Sequence, residues 1–185
     1  MSNSTLHSLF RYKAWADGEL LDALATLDPQ LHPEAHHNAL RIFNHIHVVD
    51  AIFKANLLGE PHGFSATNTP ETPPLAALRT AIGELDGWYL AYVAGLSHAD
   101  GDAVLSFNFV DGGRGQMSRA EMLLRLVTHG GYHRGAIGRI LVQCGLTPPR
   151  DTLTTFLHRS EPERRGGSTT NEGGPCCPLF WGFGL

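Results

Sequence analysis

Between Ser118 and Gly145 the apolar residues Met122, Leu126, Ile137 and Ile140 recur at the three- and four-residue steps of a helix, and two histidines, His129 and His133, stand in the same stripe. No other segment constrains the chain as much. An apolar stripe needs a partner surface, so this helix must pack inside a larger helical assembly. The histidines need partners too, because burying an unpaired polar group costs about 1–3 kcal/mol. Residues four apart lie one above the other on a helix, so both imidazoles can aim at one point, where a metal ion would satisfy them. The plain alternative is a pair of ordinary histidines, since the chain holds 11 of them and chance pairs are frequent. His32 and His36 form a weaker pair. Pro33 places His32 outside its helix, and His32, His36 and His37 read as a solvated helix start.

Other segments supply the partner surfaces. Leu6, Leu9, Phe10, Leu20, Leu21 and Leu24 predict a helix over residues 4–27, broken at Asp28-Pro29. A second opens at Pro33-Glu34 with Pro and an acid in its first turn, runs through Ile42, Ile46, Val49, Phe53 and Leu57, and stops before Gly59. Residues 60–74, rich in Pro, Gly, Thr and Asn, read as a long crossover loop. Leu78, Ile82, Leu85, Tyr89 and Tyr92 mark a third helix over residues 75–95. The period then changes. Leu105, Phe107 and Phe109 alternate with Ser106 and Asn108, and Asp111-Gly112-Gly113 follows, which is a hairpin signal. Ser118 and Glu121 form a capping box that opens the fourth helix, Thr147-Pro148-Pro149 stops it, and a short fifth helix is expected over residues 151–158. The fold class expected is all-α, a four-helix bundle with a small β-hairpin before the last long helix.

Composition narrows the function. The chain has 185 residues, 42% of them apolar and 17% charged, with a net charge of −4. This length suits one domain, and no basic stripe offers itself to nucleic acid. No apolar stretch approaches the roughly 20 residues that span a bilayer, and the N-terminus lacks a signal-peptide pattern, so no membrane partner is expected. Cys144, Cys176 and Cys177 are an odd, sparse set that fits a reducing, cytoplasmic setting better than a disulfide scaffold. The bundle is expected to occupy residues 1–159. Residues 160–185 shift to a polar Gly- and Pro-rich stretch and read as a disordered tail or appendage.

A third ligand must come from another helix. His45 shares a stripe with Ile42, Val49 and Ile52. His47 lies about 200° around the helix, on a face with Asp50 and Lys54 that reads as solvent-exposed. His45 is therefore preferred, with His47 as the fallback. Three neutral imidazoles with an open position suit zinc, nickel or a similar divalent ion and leave room for water or substrate. The protease motif HExxH is absent, because Gly130 stands where its glutamate would. Gly130 and Gly131 each cost about 1 kcal/mol against alanine in a helix. Either they leave room for a ligand over the metal, or they allow close helix packing.

Tyr12-Lys-Ala-Trp15-Ala-Asp17, Asn44-His45-Ile-His-Val-Val-Asp50 and Thr128-His129-Gly-Gly-Tyr-His133-Arg134-Gly135 resemble the three signature stretches of the DinB family of bacterial proteins, over about residues 5–158. The resemblance implies an up-down-down-up bundle, a homodimer, and a divalent metal, zinc or nickel in most members, held by His45, His129 and His133. It also implies chemistry on small molecules. Related proteins include transferases that use low-molecular-weight thiols, a thiol-dependent isomerase and metal-dependent hydrolases. Other members are known only as damage-inducible proteins, which leaves a non-catalytic metal-binding stress protein as the alternative.

Four residues near the ligands are secondary candidates. Asp17, four residues after Lys13, would either accept a hydrogen bond from a ligand histidine or, as the residues favour, form a helix ion pair with Lys13. Trp15 and Tyr132 would either wall a substrate site or belong to the core. Arg134 would bind an anionic substrate group or make a salt bridge. Cys144, about 16 Å along the helix from His133, is too far to serve the site. No glutamate adjoins the ligands, and Glu121 is two turns away, so thiol transfer is favoured slightly over hydrolysis.

Overall fold

The computed structural model describes residues 3–165. Helix α1 spans Asn3–Ala25, α2 Pro33–Leu58, α3 Leu75–Gly95, α4 His98–Asp102, α5 Arg119–Gln143 and α6 Leu153–Ser160. The protein is mainly helical, and each long helix starts or stops where local chemistry requires. Pro33 enters the first turn of α2, and Gly59 closes that helix in the left-handed region at φ 69°. Ser118 and Glu121 complete the capping box that opens α5. α4 is too short to carry a periodic signal, and the sequence did not reveal it.

Strands β1 (Val104–Asn108) and β2 (Arg114–Ser118) form an antiparallel hairpin in which Phe107 faces Gly115. Phe107 points into the core, as the alternation predicts. A Cβ on residue 115 would stand 2.7 Å from the Phe107 ring, so any larger residue there would push that ring aside. The hairpin feeds directly into α5.

Helix α1 packs on α3 and α5, and α2 packs on the same two helices. Their apolar faces form two clusters. One holds Phe10, Phe53, Tyr89 and Leu126, and the other holds Leu20, Phe43, Ile82 and Ile137. Between these positions on the four helices stand Lys13, Asp50, Asp86 and Arg134, all buried, with Asp17 one turn after Lys13. The Lys13 Nζ lies 2.8 Å from Asp17, 2.9 Å from Asp50 and 2.7 Å from Asp86. Arg134 bonds Asp17 at 3.0 Å and Asp151 at 2.7 Å, and Tyr12 also donates to Asp151. Burial opposes the Lys13 charge, but its three carboxylates overcome this and hold the ammonium well above its usual range. Asp86 is pushed up to about 7, chiefly by burial.

One expectation needs correction here. Asp50 was placed on an exposed face, yet it is 2% exposed. It lies in the buried stripe Phe43, Ile46, Phe53, Leu57, and it reaches the ammonium of Lys13. The expected Lys13–Asp17 helix ion pair is present, and it is one edge of a buried network joining four helices. At the C-terminal end, α6 runs to Ser160 and a 3-10 turn covers Pro162–Arg164. The rest of the expected tail, residues 166–185, lies outside the described residues.

Candidate metal centre

The site begins with the crossover loop. Its residues carry no periodic signal, yet α2 fixes the loop through side chains. Arg41 donates to the Thr69 carbonyl at 2.8 Å. The buried Asn44 amide donates to Asn68 Oδ1 at 2.9 Å and Thr69 Oγ1 at 2.7 Å. The Thr67 carbonyl is thereby set 2.8 Å from His45 Nδ1. A carbonyl oxygen only accepts, so Nδ1 carries the proton and Nε2 keeps its lone pair. Such an outer hydrogen bond fixes the tautomer and ring orientation of a ligand histidine.

That lone pair faces α5. His45 Nε2 lies 3.1 Å from His129 Nε2. The His45 and His133 rings are 4.6 Å apart, and those of His129 and His133 are 4.4 Å apart. One ring nitrogen from each of the three lies within 4.8 Å of the others, and all three residues are half-buried. Among the described residues, no further His, Cys, Asp or Glu joins this group. His129 is pushed down to about 3 by burial first, then by Arg125, His133 and His45. Burial and the charges of His45 and Arg125 lower His133 as well. Both rings are therefore neutral near pH 7, the form that coordinates a metal.

The spacing suits a metal ion. Tetrahedral coordination at 2.0–2.1 Å places neighbouring ligand nitrogens about 3.3 Å apart, close to the His45–His129 separation. The arrangement could hold a divalent ion on three imidazoles with a position left over. His47 stands apart from the group; burial and Lys13 hold it below its usual range, and its Nδ1 is buried without a hydrogen-bond partner.

The model of the DinB family matches residues 1–165. The chain belongs to the DinB family. Neither a curated protein nor a solved structure matches it. The secondary candidates can now be placed within this DinB chain. Asp17 is committed to Lys13 and Arg134, not to a ligand histidine. Arg134 is 1% exposed and tied to Asp17 and Asp151, so it binds no substrate anion in this arrangement; it bridges α1, α5 and the segment before α6. Trp15 makes tilted ring contacts with Tyr12 and Phe156 and lies under Arg159. Tyr132 is beside the site, its ring 5.1 Å from that of His133, but it is 78% exposed and belongs to no core.

Of the two glycines, only Gly130 is tightly surrounded. A Cβ at Gly130 would stand 3.0 Å from Arg134 Nη1 and 3.8 Å from Lys13 Cε, and one at Gly131 would stand 3.8 Å from Arg134 Nη2. Gly130 leaves room for the Arg134 guanidinium on its own helix, whereas a side chain at Gly131 would make only an ordinary contact. Sequence reasoning missed Asn44 as a structural clamp, along with Thr67, Thr69 and Arg125. Asn44 alone left a signal, as a polar residue immediately before His45.

Proposed function

We propose that this protein binds one divalent transition-metal ion, zinc or nickel, through His45, His129 and His133, and uses it to activate a small-molecule thiol toward an electrophile. One observation carries the reading: three ring nitrogens within 4.8 Å, with no fourth side-chain ligand among the described residues. Structural zinc sites close their shell with four protein ligands, whereas catalytic sites keep a position open. A divalent ion there would act as a Lewis acid and favour the deprotonated form of a thiol or water. The chain's own part is to hold the ion. Thr67 fixes the His45 tautomer, and burial keeps His129 neutral. Lys13 pairs with the buried acids Asp17, Asp50 and Asp86, and among the described residues no Asp or Glu joins the three histidines to serve as a general base for water activation. This favours thiol transfer over hydrolysis.

The same proposal includes the up-down-down-up bundle. In its support, α1 and α5 each pass from the first apolar cluster to the second along the chain, while α2 and α3 pass from the second to the first. It also includes a homodimer, which sedimentation equilibrium would test. Elemental analysis of the purified protein tests the metal. About one equivalent is expected, falling to background in His129→Ala. A sub-stoichiometric content unchanged by that substitution would remove the basis of the reading.

A further inference from the structure

Arg125 lies on α5 one turn before His129. Its guanidinium carbon is 4.9 Å from the centre of the Phe53 ring, and its Nη1 is buried without a hydrogen-bond partner. The other buried cations, Lys13 and Arg134, are saturated by carboxylates. Arg125 has no ion pair among the described residues. Asp50 is the acid whose charge reaches it; Lys13 holds its Oδ2 at 2.9 Å, and its Oδ1 is buried without a hydrogen-bond partner, so the two groups do not meet. Phe53 steadies the guanidinium face without supplying an acceptor. The Arg125 Nη1 can therefore take an oxyanion that no protein group among the described residues supplies at hydrogen-bond distance.

The location suggests where that oxyanion would come from. Residues four apart on a helix are separated by about 6 Å along the axis, comparable to the span of a short thiol carrying a carboxylate two carbons from its sulfur. Arg125 precedes His129 by four residues, so the two stand on the same face of α5. We infer that Arg125 is an anion-binding residue of the metal site, and that the small molecule bound there carries a carboxylate or a similar oxyanion. This inference rests on the metal-site reading proposed above. Arg125 would receive the oxyanion in a charge-assisted hydrogen bond while the sulfur occupies the open position. The competing arrangement is a direct Arg125–Asp50 pair formed by side-chain rotation, which would leave ligand choice indifferent to charge.

Cobalt-substituted protein gives the test, because thiolate binding to cobalt produces a charge-transfer band. The probes are 3-mercaptopropionate, 2-mercaptoethanesulfonate and neutral 2-mercaptoethanol, titrated into wild type, Arg125→Gln and Arg125→Lys. Wild type is expected to favour the two anionic thiols by about tenfold, the size of one charge-assisted hydrogen bond. That preference should vanish in Arg125→Gln and return in part in Arg125→Lys, with the affinity for 2-mercaptoethanol unchanged. A preference for the carboxylate alone, or for both anions, identifies which oxyanion the site accepts. Equal affinity of wild type for all three thiols overturns the inference even if Arg125→Gln folds poorly. A preference that survives in Arg125→Gln overturns the assignment to Arg125. Failure to take up cobalt, or the absence of a band with any thiol, overturns the proposed function and this inference with it. Bands without an anion preference overturn this inference alone.

Discussion

Replacing Lys13 with methionine probes the centre of the fold. The substitution keeps an unbranched side chain and removes the one ammonium that three carboxylates share at 2.7–2.9 Å. Arg134 still neutralises Asp17, and Asp86 already sits near 7 with the ammonium in place, so Asp50 loses most. Breaking a buried ion pair by deleting one partner costs about 3–5 kcal/mol. Protonation limits the loss, since an orphaned carboxyl can fold neutral. Neutralising an acid whose ordinary value is 3.8 costs about 1.4 kcal/mol for each pH unit above that value. The ceiling per carboxyl is then about 5 kcal/mol at pH 7.5 and about 2 kcal/mol at pH 5.5. Lys13→Met should therefore be destabilised by about 3–5 kcal/mol near neutrality and by visibly less at pH 5.5. Urea unfolding followed by far-ultraviolet circular dichroism at both pH values measures this. A loss below about 1 kcal/mol at pH 7.5, or one that does not change with pH, would refute the shared-ammonium account.

Three further outcomes follow from the same contacts. Burial raises Asp86 to about 7, so the native state keeps a proton that the unfolded chain releases near 3.8; its stability contribution is complete below 3.8 and is lost as pH rises through 7. Asp86→Asn should flatten that decline, and urea midpoints at pH 5 and pH 8 that fall as steeply as in wild type would contradict it. Gly130→Ala gains about 1 kcal/mol of helix propensity but places its methyl 3.0 Å from the pinned Arg134 guanidinium, so a net loss of about 1–2 kcal/mol is expected, and a higher melting temperature would count against the packing role. Asn44→Ala frees the loop whose carbonyl orients His45 and should weaken metal binding by about 10–100-fold in a competitive chelator titration; unchanged affinity would show that His45 needs no such support.

The readability of this chain depended on periodicity. The long helices and the hairpin each repeat over enough residues to give a period, and Pro33, Gly59 and the Ser118 box mark boundaries. The His45, His129 and His133 cluster was legible because two of its members share a stripe and the third stands on an inward face beside Ile42 and Val49. The buried charges were harder. Asp50 and Asp86 occupy core positions of their own stripes, yet an acid at a core position reads as an interruption until a cation on another helix is known to meet it. Lys13 and Arg134 are those cations, contributed by α1 and α5. The loop hydrogen bonds to Thr67 and Thr69 depend on backbone carbonyls, which side-chain identity does not mark. Tyr132 follows the family-like stretch but faces outward, because it stands one position from His133 and so about 100° around α5.

X-ray absorption at the metal edge tests the central claim most directly. The account predicts three imidazole nitrogens at about 2.0–2.1 Å and one exchangeable position that accepts sulfur when 2-mercaptoethanol is added. A shell closed by a fourth protein ligand and unaltered by the thiol, or one that retains all its imidazoles in His45→Ala, would contradict it.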